Sequence, residues 1–274
     1  MNVKDQFDLS GRVAVITGGA GLLGVKHAEA VAELGAIPVL ADVDARAAGA
    51  AAAGVSKKYG VGALGLKVDI TRPASVKKLR DTLLRKYGRV DILINNAARN
   101  PKVEGGGMAW SRLENYPLPQ WELDLAVGLT GALVCSQILG AEMARAGRGV
   151  ILNIASDLGV IAPDQRIYRR PGLQDDEQPA KPVSYSVVKH GLIGLTKYLA
   201  TYWAEQGVRA NSISPGGVFN EQDQAFVRKL TALIPLGRMA RPDEYKAAVA
   251  FLVSDASQYM TGANLVMDGG RSTW

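Results

Sequence analysis

The chain has 274 residues, 47% of them hydrophobic and 21% charged, with a formal net charge of +6. That length buries a large core as one α/β unit. The positive charge is spread in runs of no more than two Lys or Arg, which excludes the basic stripe of a nucleic-acid binder. Cys135 stands alone, which rules out an intrachain disulfide, and Met1 to Ser10 lacks the apolar stretch of a signal peptide. No continuous apolar run reaches the ~18 residues of a membrane helix, so a cytoplasmic protein with no membrane partner is expected.

In chain order, Val13 to Thr17 reads as a buried strand and Leu22 to Leu34 as a helix. Ile37 to Asp42 is a second strand, with an alanine-rich helix after it. Ala63 to Asp69 is a third strand, Ala74 to Tyr87 a helix, and Val90 to Asn95 a fourth strand. A long helix runs from about Pro119 to Arg145, and Val150 to Ala155 is a fifth strand. Ser184 to Glu205 is a helix, Val208 to Ser214 a sixth strand, Asp243 to Val253 a helix, and Asn264 to Met267 a last strand. Short apolar runs alternating with helices predict a single α/β domain over 1–274: a doubly wound parallel sheet in three α/β/α layers. Three segments break the pattern, at about 99–119, 157–182 and 215–241. They follow the fourth, fifth and sixth strands, where ligands sit in open α/β sheets, and are read as the walls and lid of one pocket.

Thr17-Gly18-Gly19-Ala20-Gly21-Leu22-Leu23-Gly24 joins the first strand to the first helix. Its glycines allow a tight turn and close backbone approach to a pyrophosphate, which the helix N-terminus favours electrostatically. Asp42 ends the second strand. Its carboxylate suits the adenosine ribose hydroxyls and repels a 2′-phosphate, so NAD is the expected cofactor, although Arg46 nearby could soften the preference. Tyr185 and Lys189 are four residues apart and share a helix face. A neighbouring ammonium is expected to lower the phenol pKa and make Tyr185 an acid/base. Ser156, after the fifth strand, could hold a substrate oxygen. His27 and His190 have no partner at metal-ligand spacing, so no metal is expected.

With the Gly-rich turn, Asn95-Asn96-Ala97-Ala98, Ser156, Tyr185 with Lys189, Pro215-Gly216 and Asp268-Gly269-Gly270 in this order, the chain resembles the short-chain dehydrogenase/reductase family nearly end to end. The resemblance implies a Rossmann-type fold and a homotetramer. It implies that Ser156 orients substrate, Tyr185 transfers the proton, and Lys189 tunes Tyr185 and binds the nicotinamide ribose. It further implies cofactor contacts from Gly18, Gly21, Leu23, Gly24, Asp42, Asp69, Ile70, Asn96, Ala97, Pro215, Gly216 and Val218. Two departures stand out: glycine at Gly21 rather than at the position of Leu22, and Gly128 where many members carry an asparagine that holds a relay water. The Gly-Leu-Leu-Gly turn and the longer interval between Ser156 and Tyr185 also resemble a subgroup linked to bacterial surface glycans.

These features point to NAD-dependent oxidation of a secondary alcohol on a sugar or phosphosugar. Arg99, Arg166, Arg169 and Arg170 are the candidates for an anionic substrate group, because guanidinium pairs bidentately with phosphate or carboxylate. The alternatives are a reductase of an acyl or other apolar ketone, and a non-catalytic NAD-binding regulator.

Overall fold

A computed structural model describes residues 2–100 and 109–274, so part of the 99–119 segment lies outside the described residues. Seven strands form one parallel sheet: β1 (Val13–Thr17), β2 (Ile37–Asp42), β3 (Leu64–Lys67), β4 (Ile92–Asn95), β5 (Gly149–Ile154), β6 (Val208–Pro215) and β7 (Asn264–Met267). Their order is β3-β2-β1-β4-β5-β6-β7, so the chain reverses direction of winding between β1 and β4. The central strands are buried on both faces, which is why they read as unbroken apolar runs rather than alternating ones.

Helices α1 (Leu22–Ala32), α2 (Ala45–Tyr59), α3 (Pro73–Tyr87), α4 (Leu118–Arg145), α5 (Val183–Tyr202), α6 (Gln224–Thr231) and α7 (Lys246–Val253) complete the fold. One core joins α1, α2 and α7 to the sheet through Val31, Leu40, Ile94 and Leu252. The other joins α3, α4 and α5 to the opposite face through Val15, Leu83, Leu139 and Leu199. Gly60 and Gly88 end α2 and α3 in the left-handed region, at φ 70° and 71°, where a side chain would be strained.

Two expectations change. Helix α4 is long and apolar enough to cross a membrane by length and composition, although no continuous apolar run suggested it; half of its most apolar stretch is buried inside the protein, and it packs on β4, β5 and α5. The 215–241 segment is not irregular throughout: α6 lies within it, started by the Asp223 carboxylate, which accepts from the N–H groups of Ala225 and Phe226.

Candidate active site

The ends of β1, β2, β4, β5 and β6 open on one cavity of about 910 Å³. At the end lined by the Gly-rich turn, Gly18 has φ +59°, and a Cβ there would lie 2.9 Å from the Ala97 Cα. A Cβ on Gly24 would lie 2.2 Å from the Gly18 carbonyl oxygen, so this glycine does not line the cavity but lets α1 close on the turn. Gly21 caps α1 without a side chain and lines the cavity with Leu22 and Leu23. The Asn96 amide donates to the carbonyls of Thr17 and Gly18, at 2.9 and 3.1 Å, and ties β4 to the turn. Asp42 accepts from the N–H groups of Ala20 (3.1 Å) and Asp44 (3.2 Å). Among the described residues no Lys or Arg lines this end, and Arg46 is exposed outside it. Asp69 is held by Thr71, and Ile70 is buried against α4 at Gly131. A glycine cradle, an uncapped helix N-terminus whose N–H groups donate, and an oriented carboxylate that accepts are groups that fit a dinucleotide.

Ser156, Tyr185 and Lys189 meet on the same wall with Ala97, Pro215, Gly216 and Val218. Lys189 is buried, and its Nζ donates to the Ile154 carbonyl at 2.7 Å. Burial, and then the charge of Lys181, lower its pKa to about 8. The expected lowering at Tyr185 does not hold: burial pushes its phenol up to about 12, Ser156 opposes this by hydrogen bonding, and the Asp157 carboxylate adds to it. The physical reason is desolvation of the phenolate, which an ammonium turned toward a backbone carbonyl does not offset. Lys189 Nζ is 5.6 Å from the Tyr185 ring centre, whereas Lys181 Nζ is 3.9 Å from it.

The other end of the cavity is roofed by residues of segments 157–182 and 215–241. Ile167, Tyr168, Leu230, Ile234 and Met239 form a small apolar cluster, and the Tyr168 ring packs tilted against Phe226 of α6, with ring centres 5.5 Å apart. Asn220 and Gln222 add polar groups to the same wall.

Residues 12–168 match the family model described as short chain dehydrogenase. The chain is a short-chain dehydrogenase. It is an oxidoreductase that acts on CH–OH groups. Residues 176–272 match a second model, described as enoyl-(acyl carrier protein) reductase. The D-threitol dehydrogenase of Mycolicibacterium smegmatis is 36% identical over 98% of this chain and 96% of its own. The NAD-dependent glycerol dehydrogenase of Listeria innocua is 32% identical over 96% and 95%. A gluconate 5-dehydrogenase from Burkholderia cenocepacia, solved with NADP and tartrate, superposes with a TM-score of 0.86 at 28% identity over 100% of both chains. Nicotinamide cofactors and polyol or sugar substrates therefore recur among the relatives, and the resemblance to surface-glycan enzymes is not borne out.

Of the four arginines expected at the dehydrogenase's substrate, the structure brings only Arg99 to the cavity, 3.2 Å from buried Asp124. Arg166 is exposed and paired with Asp164 at 2.6 Å, while Arg169 and Arg170 lie outside the lining. Ile167 and Tyr168, between Arg166 and Arg169, take the buried positions, which leaves Arg166 and Arg169 exposed and Arg170 half-buried. Sequence reasoning missed Asp124, Asp157, Lys181 and Arg271. Asp124 accepts from Tyr116, Gln120 and Ser184, locking the start of α5 one residue before Tyr185. The signal for Asp157 and Arg271 was their position, one residue past Ser156 and one past the Asp-Gly-Gly run.

Proposed function

We propose that this dehydrogenase reversibly oxidises a secondary alcohol of a small polyol or sugar with NAD. The carrying observation is the convergence of Ser156, Tyr185 and Lys189 in the cavity that also holds the Gly-rich turn and Asp42. In this reading Tyr185 takes the hydroxyl proton, Ser156 holds the same oxygen, and Lys189 sits fixed on the Ile154 carbonyl beneath them. NAD, when bound, supplies the hydride acceptor and a positive charge. Gly18, Gly21, Leu23 and Asn96 would hold its pyrophosphate side, Asp42 its ribose, Asp69 and Ile70 its adenine, and Ala97, Pro215, Gly216 and Val218 its nicotinamide. Gly24 supports the turn from behind.

The polyol assignment rests on the relatives and on the hydrogen-bonding groups beside the apolar roof. Arg99 and Lys181 favour a substrate with an anionic end, such as a phosphosugar or sugar acid. Segment 215–241, with α6 inside it, is read as the substrate lid, the cytoplasm as the setting and a homotetramer as the working state.

The test is NADH formation with NAD across polyols, sugars, sugar phosphates and apolar secondary alcohols. Turnover of polyols or sugars supports the reading; turnover of apolar alcohols alone removes the substrate assignment and leaves the enzyme class. Replacing Tyr185 by Phe is expected to lower kcat at least ~100-fold with NAD affinity retained. An unchanged rate removes Tyr185 from the chemistry. Because oxidation needs the phenol deprotonated and burial holds its pKa high, the oxidation rate is expected to rise with pH above neutrality.

A further inference from the structure

Next to the acid/base site lies a buried ion pair that the chemistry above does not use. Asp157 directly follows Ser156, and Arg271 sits in the C-terminal turn; their side chains are 5% and 7% exposed, and Arg271 Nη1 donates to Asp157 Oδ2 at 2.7 Å. The other carboxylate oxygen, Oδ1, accepts from the Ser156 hydroxyl at 2.8 Å and from the Leu158 N–H at 2.8 Å. Leu158 also donates to Ser156 Oγ at 3.2 Å. Both residues line the cavity. A buried ion pair is weak evidence of added stability, since an apolar pair of similar volume often does as well.

Each side of the pair is held from behind. The turn after Ser156 seats on α5, where a Cβ on Gly159 would lie 2.8 Å from the Lys189 carbonyl oxygen. The Asp268 carboxylate accepts from the N–H groups of Gly270 (2.9 Å) and Ser272 (2.8 Å), and so aims Arg271 inward.

We propose that Arg271 and Asp157 are a positioning pair for the acid/base site: Arg271 aims the carboxylate, and Asp157 holds the Ser156 hydroxyl in register and sets the charge beside Tyr185. The pair reaches the reacting atoms only through Ser156 and Tyr185, so this role rests on the function proposed for those residues. Among the described residues, the charged groups around them include Arg99 after β4, Lys181 before α5, Lys189 on α5, Asp157 after β5 and Arg271 after β7, and Asp164 feels the charge of Arg271. Tyr245, ahead of α7, and Asp268 lie behind the pair. Asp157 opposes the phenolate, and Arg271 offsets Asp157.

The two halves of the pair therefore have opposite signatures. In full-length enzyme with NAD, and D-threitol or the best polyol of the panel as probe, Asp157→Asn moves the acidic limb of kcat/KM for oxidation to lower pH. Arg271→Met moves it to higher pH, each shift being roughly half a unit to one unit. Both variants lower kcat about tenfold through the loosened Ser156, and NAD affinity by fluorescence titration stays unchanged. Simple loss of structure does not produce limbs that move in opposite directions. If a single variant fails to fold with an unpaired buried charge, the double variant Asp157→Asn with Arg271→Met carries the test, with the limb again moving to lower pH. Limbs that stay in place, or that move together in the single variants, overturn the proposal. Ser156→Ala and Tyr185→Phe separate the two levels. If they keep full turnover, the acid/base assignment itself fails; if they abolish turnover while the limbs stay fixed, only the pair's role fails.

Discussion

Gly24 shows how little freedom single positions of the cofactor turn retain. Its missing Cβ would meet a backbone oxygen at 2.2 Å, and backbone cannot rotate away. Gly24→Ala is expected to cost about 1–3 kcal/mol by urea unfolding and to weaken NAD binding; a variant as stable and as tight as the parent contradicts that packing. Asp42→Ala is expected to relax discrimination between NAD and NADP, because it removes the charge that repels a 2′-phosphate. Discrimination equal to the parent's removes Asp42 from that role. His27 lies on the buried face of α1, neither ring nitrogen makes a normal hydrogen bond, and burial lowers its pKa to about 4 despite Asn96 nearby. The unfolded chain binds a proton near ~6.5 that the native chain refuses. Stability is thus fully present above that pH and declines as pH falls toward about 4. His27→Gln is expected to flatten that decline in Tm.

Helix α4 carries the residue, Gly128, at which the sequence motif departs from the pattern the resemblance implies. It contains π turns at Ala126–Thr130 and Ser136–Gly140, and Gly128 lies in the first. A Cβ on Gly128 would lie 2.6 Å from Val188 Cγ1, so the volume an asparagine would need is already filled from α5. Valine on a helix has one favoured rotamer and cannot move aside. Gly128→Asn is expected to lower stability by about 1–3 kcal/mol, and the added Val188→Ala to restore part of it; a Gly128→Asn protein with unchanged Tm would show that the contact yields. The same pair explains why a glycine looked like a loss from sequence and is a packing exchange in space. Helix α6 behaves differently, since it touches the rest mainly through Tyr168, Phe226 and their neighbours. Phe226→Ala is expected to raise KM several-fold with kcat nearly kept, which steady-state kinetics reads directly.

Over the whole molecule, the order of windings places the described parts of the irregular segments beyond the carboxyl ends of neighbouring strands β4, β5 and β6, which is why one cavity collects residues from Gly18 to Arg271. The proposed homotetramer has exposed aromatic surface to use: Tyr198 and Tyr202 are 61% and 60% exposed on α5 and stack at 5.6 Å. Sedimentation is expected to give a tetramer that Tyr198→Glu weakens; a monomeric parent chain removes that state.

The strands and most helices were legible because their signals are local: unbroken apolar runs, a 3.6-residue period, and glycines at turns. The Gly-rich turn, Asp42, and Tyr185 with Lys189 were legible for the same reason, since spacing along one element sets which side chains meet. Helix α6 was not, because its short amphipathic pattern is buried in a segment rich in Pro and Gly. The arginines of 166–170 were misjudged because local charge does not say which way a loop faces. That Tyr185 holds its proton, that Val188 fills the space beside Gly128, and that Arg271 reaches back across the sheet to Asp157 depend on desolvation and on contacts between residues far apart in the chain. Only the closed fold brings those groups together and takes the water away.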